Sequence, residues 1–418
     1  MPVPTPVLVA CSVRSGIAAL NCVAGALEDG AEVRFVKSRE ELVRAVQEVR
    51  GTGRTPIVGW SFYSVDFDAV AEDLAAVKPL TPGALHVAGG VHATAEPLST
   101  LRAGFDLVAV GEGETTVRTL FDAVARGADP RALQGIAHLD DDGGFVSHGP
   151  GERRPLDDFP SFRHGRWQPI EITRGCIYAC AFCQTPYVFK ARFRHRSVAS
   201  VRGHVEAMAR EGSRFVRFLT PTALSYGSDD ESPNLAAVEE LLRTTREAAG
   251  PQARIYFGTF PSEMRPEHVS REALAILRRW VDNRVVVVGA QSGSERVLSA
   301  MRRGHGVAAV ERAVRLSVEA GFQPEVDLLL GFPGETREDR QASLRLAERL
   351  VAMGARIHSH AMLPLPGTPT RDAVPERIED DVATGLARLE ARGAAWGQWR
   401  RQVVAAERLV RRRAGEAR

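Results

Sequence analysis

The stretch Ile170-Glu171-Ile172-Thr173-Arg174-Gly175-Cys176-Ile177-Tyr178-Ala179-Cys180-Ala181-Phe182-Cys183 decides how this chain is read. Ile170 to Thr173 has the apolar, β-branched character of a buried strand, and Gly175 ends it. Three cysteines then follow with the spacing Cys-x3-Cys-x2-Cys. A loop leaving a strand end can wrap three thiolates around one iron-sulfur cube, and only three protein ligands leave one iron open to a small molecule. An open metal position separates a site that binds a reactant from a purely structural one. Two other readings compete: a zinc site completed by His164 or His195, and three incidental core thiols.

Working outward, strand signals recur at Phe215 to Leu219, Ile255 to Gly258, Val285 to Gly289, Glu325 to Leu330 and Ile357 to Leu363, with helical periodicity between them. Six β-α units predict a partial (β/α)6 TIM-like barrel with its ligand site at the carboxyl ends of the strands. Upstream, Val7 to Ala10, Glu32 to Phe35, Ile57 to Gly59, Leu85 to Ala88 and Leu107 to Val110 alternate with helical segments. That order predicts an α/β, doubly wound, Rossmann-like sheet, closed by a hairpin whose turn is Asp140-Asp141-Asp142-Gly143-Gly144. The expected organisation is a doubly wound domain at 1–148, a Pro- and Asp-rich linker at 149–168, the barrel at 169–374 and a helical extension at 375–418. The extension carries no strand signal, and Arg411, Arg412 and Arg413 near its end read as solvated surface.

Bulk properties exclude several classes. With 418 residues, 44% apolar and 25% charged residues and a net charge of +2, the chain is neither disordered nor built around an electrostatic partner, so nucleic acid is not expected as its main ligand. No apolar run approaches the roughly 18 to 20 residues that span a bilayer, and the expected location is cytoplasmic. Five cysteines, three of them within eight residues, do not form the even framework of a secreted disulfide protein.

The cysteine spacing, the aromatic Phe182 before the last cysteine and the preceding strand resemble the radical S-adenosylmethionine (SAM) superfamily, and the resemblance runs from about Pro169 to Thr370. It implies that Cys176, Cys180 and Cys183 hold a 4Fe-4S cluster. The open iron would take the amino and carboxylate groups of SAM, whose reductive cleavage gives a 5′-deoxyadenosyl radical. Phe182 would shield the cluster or lie on the adenine. Gly289-Ala290-Gln291-Ser292-Gly293-Ser294 is similar to the family's fourth-strand motif, which makes Gln291 the first choice for the ribose, with Ser292 beside it. Arg303 would pair with the cofactor carboxylate. Asp327, in Val326-Asp327-Leu328-Leu329-Leu330-Gly331-Phe332-Pro333-Gly334-Glu335, is a second ribose candidate. His360 and Pro364-Leu365-Pro366-Gly367-Thr368-Pro369 resemble the family's sixth-strand end. The second strand departs from the family, since Leu219-Thr220-Pro221-Thr222 lacks the acid that holds the cofactor's amino group, and Thr220 or Thr222 would stand in. Pro261-Ser262-Glu263-Met264-Arg265-Pro266 brings a charged pair to the same mouth.

The first domain resembles the cobalamin-binding domain that precedes many such enzymes. Ser61 in Gly59-Trp60-Ser61-Phe62, Gly89 and Gly90 after the fourth strand, and Gly111 and Glu112 after the fifth carry that likeness. The loop Cys11-Ser12-Val13-Arg14-Ser15-Gly16 lacks the cobalt-ligating histidine of the mutases, so cobalamin would be held by its nucleotide tail, with His92 as a helix-start or tail contact.

Together the likenesses imply a cobalamin-dependent radical SAM methyltransferase acting on an unactivated carbon or phosphorus centre of a small molecule or natural product. An external donor such as flavodoxin or ferredoxin would supply electrons. One SAM would methylate cobalt and a second would generate the radical, which calls for the corrin and the open cluster to face one cavity. The alternatives are a radical rearrangement, cyclisation or oxidation with non-methylating or lost cobalamin, and a non-catalytic cluster or corrin sensor. Methylthio transfer is disfavoured, because the first domain has only Cys11 and Cys22 and no nucleic-acid module is visible.

Overall fold

The computed structural model describes residues 5–416 and divides into two compact units, Met1–Trp167 and Gln168–Arg418. The first unit is a doubly wound sheet. Its strands β1 (Val7–Cys11), β2 (Val33–Val36), β3 (Pro56–Ser61), β4 (Leu85–Gly89) and β5 (Leu107–Ala109) are parallel, and the hairpin β6 (Ile136–Leu139) and β7 (Phe145–Ser147) adds antiparallel to β5. The order is β2-β1-β3-β4-β5-β6-β7. Because β1 lies between β2 and β3, successive connections wind in opposite directions from it, and the loops after β1 and β3 diverge to leave a crevice.

Helix α1 (Ile17–Ala26) covers one face, and α2 (Arg39–Gly51), α3 (Phe67–Val77), α4 (Gly90–Ala95) and α5 (Pro97–Arg102) cover the other. Helix α6 (Gly113–Ala125) returns to the face of α1, where Val117, Leu120 and Phe121 meet Leu8, Ile57 and Leu107. Burial on both faces explains why β1 and β3 read as continuous apolar runs rather than alternating ones. The segment read as a linker folds back on this unit: Phe159 joins the α1 and α6 core, and Arg163 donates to the Leu27 carbonyl at 2.8 Å.

In the second unit β8 (Ile170–Glu171) is followed by a short antiparallel pair, β9 (Thr173–Arg174) with β10 (Arg194–His195), joined through the cysteine loop and α7 (Thr185–Val188). After α8 (Val198–Arg210) come β11 (Phe215–Leu219), α9 (Leu235–Ala249), β12 (Arg254–Tyr256), α10 (Arg271–Trp280) and β13 (Val285–Gln291). The chain continues through α11 (Glu295–Ala300), α12 (Val307–Glu319), β14 (Gln323–Leu330), α13 (Arg337–Ala352) and β15 (Arg356–Ala361). It ends with α14 (Asp380–Ala391), β16 (Ala395–Gly397) and α15 (Trp399–Glu416).

Strand β11 pairs in parallel with β8 and β12, and β13 to β16 pair in parallel in chain order. Backbone bonds from Val287 to Gly258 (2.8 Å) and from Gly289 to Met264 (3.1 Å) carry the ladder from the β12 side to β13. The result is an open arc of parallel strands with helices outside. Side-chain oxygens of Ser197, Ser270 and Ser294 (hydroxyls) and of Asn234 (amide) accept backbone N–H bonds at the helix starts, and Thr336 with Asp339 forms a capping box.

One expectation needs correction. The segment from Pro375 reads as helix, yet it contains β16, which adds a seventh strand to the six predicted. Three residues, Ala395-Trp396-Gly397, are too short to show a period of two in sequence, and their backbone pairing is supplied by the exposed edge of β15.

Candidate functional site

The cysteine loop starts where β9 ends. Gly175 has φ +78°, and a Cβ there would stand 2.1 Å from the Arg192 carbonyl oxygen, so this turn needs glycine. Thr173 Oγ1 donates to His195 Nδ1 at 2.9 Å, because His195 Nε2 gives its proton to the Ser228 carbonyl at 2.9 Å. Both nitrogens of His195 are therefore spent on structure, which removes it as the fourth ligand of a zinc reading. His164 lies in the first unit.

Cys176, Cys180 and Cys183 line one cavity with Tyr178, Phe182, Thr222, Glu263, Arg265, Gly289, Gln291 and Arg303. Burial pushes the Cys176 thiol up to about 12 and also raises Cys183. Metal-free, these thiols are neutral, and ligation would deprotonate them. The Arg303 guanidinium compensates. Its Nη1 reaches Cys180 Sγ at 3.3 Å, Nη2 donates to the Gly289 carbonyl at 2.7 Å, and Nε donates to His305 Nε2 at 3.2 Å. Burial pushes His305 down to about 4, so its neutral ring accepts that bond.

The loop is braced from two sides. Arg265 lies over the Tyr178 ring at 3.6 Å, and the Tyr178 hydroxyl meets His268 Nε2 at 3.0 Å. On the other side Gln184 Nε2 donates to the Pro366 carbonyl at 2.8 Å and Thr370 Oγ1 to the Ala181 carbonyl at 3.2 Å. The Pro364 to Pro369 segment thus has a physical role in holding the cysteines.

Gln291 ends β13 at a bulge with φ +73°, an unfavourable backbone for a non-glycine residue and a frequent mark of a functional position. Gly289 makes room for it: a Cβ there would stand 3.0 Å from Gln291 Nε2 and 3.2 Å from Arg303 Nη2. Gln291, Phe182 and Glu263 also line a second cavity, shared with Asp327, Leu329, His360 and Gln402. Burial, then the nearby Asp327, push the Glu263 carboxyl well above its ordinary value. Burial alone would do the same to Asp327, but bonds from His358 and His360 outweigh it and hold Asp327 low.

The sequence-derived residues divide on inspection. Cys176, Cys180, Cys183, Phe182, Gln291 and Arg303 converge on the first cavity, and Asp327 and His360 line the second. Thr220 does not line either: its hydroxyl donates to the Thr222 carbonyl at 3.1 Å, and Thr222, whose buried Oγ1 has no hydrogen-bond partner, faces the cysteines instead. Ser292 is turned away, with its Oγ accepting from Ser294 N and lying 3.2 Å from Ser343 Oγ, as the bulge at β13 reverses the direction of the residue after Gln291. His358 and Gln402 were missed. The alternation Arg356-x-His358-x-His360 on one strand was the available signal for the first.

In the first unit Ser61, 8% exposed, ends β3 at the crevice. Gly90 has φ +85°, and a Cβ on it or on Gly16 would stand 2.6 Å from Ser61 Oγ. Backbone rather than side chains therefore surrounds that hydroxyl, a cradle that fits the approach of a nucleotide tail. Gly89 precedes α4 beside it. Gly111 and Glu112 follow β5: Gly111 N donates to Thr94 Oγ1 of α4 at 3.0 Å, a Gly111 Cβ would meet Pro150 at 3.1 Å, and buried Glu112 pairs with Arg153 at 3.5 Å, so both also touch the returning linker. His92 is buried, with Nδ1 3.0 Å from Ser64 Oγ and its ring 4.5 Å from that of Phe67.

Comparison with known proteins supplies the name for this arrangement. Residues 170–347 match the radical SAM superfamily and residues 16–121 match the B12 binding domain. The chain carries a B12 binding domain followed by a radical SAM domain. The two matched domains are of the kinds that hold a 4Fe-4S cluster with SAM and that bind cobalamin.

Among solved structures, the radical SAM methyltransferase TsrM from Kitasatospora setae, with cobalamin and a 4Fe-4S cluster bound, is similar with TM-score 0.70 at 21% identity, covering 88% of this chain and 74% of that one. The cobalamin-dependent radical SAM enzyme OxsB, with aqua-cobalamin and SAM bound, gives 0.66 at 15% identity over 83% of this chain and 52% of that one. At these identities the likeness is one of fold. Curated relatives include the tRNA-2-methylthio-N(6)-dimethylallyladenosine synthase of Magnetococcus marinus, 30% identical over 56% of this chain and 53% of that protein. The Bordetella avium protein of the same description is 28% identical over 75% of this chain and 63% of that protein. The chain thus spans about half the length of the first of these relatives. No helix among the described residues is long and apolar enough to cross a membrane.

Proposed function

We propose that the protein is a cobalamin-dependent methyltransferase that modifies an unactivated carbon or phosphorus centre of a small-molecule substrate in the cytoplasm, drawing electrons from a flavodoxin or ferredoxin. The observation that carries this reading is the convergence of three thiols, Arg303 and Gln291 on one cavity, in a chain whose other unit is a B12 binding domain. When bound, the reduced cluster supplies the electron that cleaves SAM, and cobalamin supplies a carrier for the methyl group.

The chain's own residues do the rest. Cys176, Cys180 and Cys183 ligate the cluster, and Arg303 offsets the charge of the Cys180 thiolate through its 3.3 Å contact. Gln291 presents its amide to the ribose, with Asp327 as the second candidate, and the unpartnered Thr222 hydroxyl takes the place of the missing acid on the second strand. Phe182, on the wall of both cavities, keeps water from the reacting atoms. Glu263, whose carboxyl burial pushes well above its ordinary value, is placed to exchange a proton with the substrate at its carboxyl oxygen.

The methylthio transfer named for the curated relatives fits less well, since the first unit has only Cys11 and Cys22 and so lacks the three thiols of a second cluster. The test is anaerobic reconstitution with hydroxocobalamin, reductant and SAM labelled in its methyl group, incubated with cell extract. Label in a small molecule together with 5′-deoxyadenosine supports methyl transfer. 5′-Deoxyadenosine without transferred label supports a radical rearrangement or oxidation, and release of neither removes the enzymatic reading.

A further inference from the structure

The interior face of the arc carries a second group of polar side chains, one of which, Asp327, is also the second ribose candidate. Asp327 on β14 is the register partner of His358 on β15, and His360 lies two residues further on the same face of β15. Asp327 Oδ1 is 2.9 Å from His358 Nδ1 and 3.7 Å from His360 Nε2, and the two nitrogens are 3.1 Å apart. Atoms bound to one first-row metal ion at about 2.1 Å, with angles between octahedral and tetrahedral, stand about 3.0 to 3.4 Å from each other. The three donors already have nearly that triangle, and they come from the side chains that favour such ions, two imidazoles and a carboxylate.

Without a cation the triangle is poorly satisfied. Two imidazole nitrogens lean on each other and on one carboxylate oxygen, and whichever protons are placed there, either two lone pairs or two N–H groups face each other. A metal ion accepting one lone pair from each atom resolves the conflict. The surroundings hold the rings for this. Trp396 of β16 is stacked on His358 with centroids 5.0 Å apart and planes at 12°, and Arg356 covers the Trp396 ring at 4.5 Å. Gln402 of α15 accepts from Ala361 N at 2.9 Å, so its amide nitrogen donates to His360 Nδ1 at 3.3 Å and the neutral ring carries on Nε2 a proton that a metal ion would displace.

We infer that Asp327, His358 and His360 form a mononuclear site for a divalent first-row transition-metal ion, separate from the cysteine loop. Three protein ligands leave coordination positions open, and Asp327 and His360 line the cavity that also holds Glu263 and Gln291. The ligand class suited to those positions is a substrate offering an oxygen or nitrogen donor, such as a hydroxyl, carboxylate or amine. The assignment does not depend on methyl transfer.

The probes are Zn2+ and Co2+, added anaerobically to the full chain with its iron-sulfur cluster already installed, so that the cysteines are occupied. One equivalent of Zn2+ is expected by calorimetry beyond the cluster metal. Co2+ should show d-d absorption without the thiolate-to-cobalt charge transfer that binding at cysteine would produce. His358→Gln and His360→Gln should each abolish the stoichiometric binding while iron and sulfide content and circular dichroism match the parent. Absence of the extra equivalent in the parent chain overturns the assignment, and so does binding that survives both substitutions.

Discussion

Arg303 illustrates how much chemistry one buried side chain can carry. At 8% exposure it spends its three nitrogens on Cys180 Sγ, the Gly289 carbonyl and His305, and its own carbonyl accepts from Arg265. A hydrogen bond to a charged group is worth about 1.5–3 kcal/mol, or about 10- to 100-fold in a rate or affinity. Arg303→Ala is therefore expected to lower 5′-deoxyadenosine formation by about that factor and to leave iron content near that of the parent, since the three thiols remain. Unchanged turnover would show that the guanidinium only fills space. The sequence pointed to Arg303 through its distance from the fourth-strand motif, but it gave no hint that Cys180 is the partner. That contact joins residues 123 apart in the chain and exists only once the arc has closed. Thr222 was left level with Thr220 for a related reason, because which hydroxyl faces the cavity depends on the turn after β11 rather than on residue type.

At the scale of elements, the turn from β14 into α13 carries a pH signature. Glu335 is 2% exposed, its Oε2 accepts from Gly331 N at 2.6 Å, and burial pushes its carboxyl up to about 7 from an ordinary 4.5. The folded chain thus binds more protons than the unfolded chain between about 4.5 and 7. This group's contribution to stability is full below that window and is lost as pH rises through it. Glu335→Gln, which keeps an oxygen for Gly331 N, should flatten the slope. Urea midpoints across the window test this, and a variant whose slope matches the parent would refute it.

Legibility at this scale followed burial. Strands buried on both faces, such as β1, β3 and β14, stood out as apolar runs and were placed within a few residues. The pair β9 with β10 and the edge strand β16, two and three residues long, did not, because pairing partners rather than local pattern create them. The triad on β14 and β15 was half visible: Asp327 and His360 were singled out separately, while their meeting with His358 depends on the register of two strands.

For the whole molecule, two units with separate cores carry separate chemistry, and damage should separate in the same way. Gly90→Ala would put a Cβ 2.6 Å from Ser61 Oγ on a backbone with φ +85°, a strain of about 1–3 kcal/mol at the crevice of the first unit. It is expected to cut cobalamin retained after gel filtration while cluster content is unchanged, and equal loss of both cofactors would contradict that division. The claim beneath all of this is that Cys176, Cys180 and Cys183 hold a cluster with one iron free for SAM. Mössbauer spectroscopy of iron-57-labelled protein, prepared anaerobically and measured with and without SAM, tests it most directly. The account predicts a 4Fe-4S cluster in which one iron of the four changes its isomer shift when SAM is added. A spectrum that SAM leaves untouched, or a preparation holding zinc at the cysteines in place of iron, would contradict it.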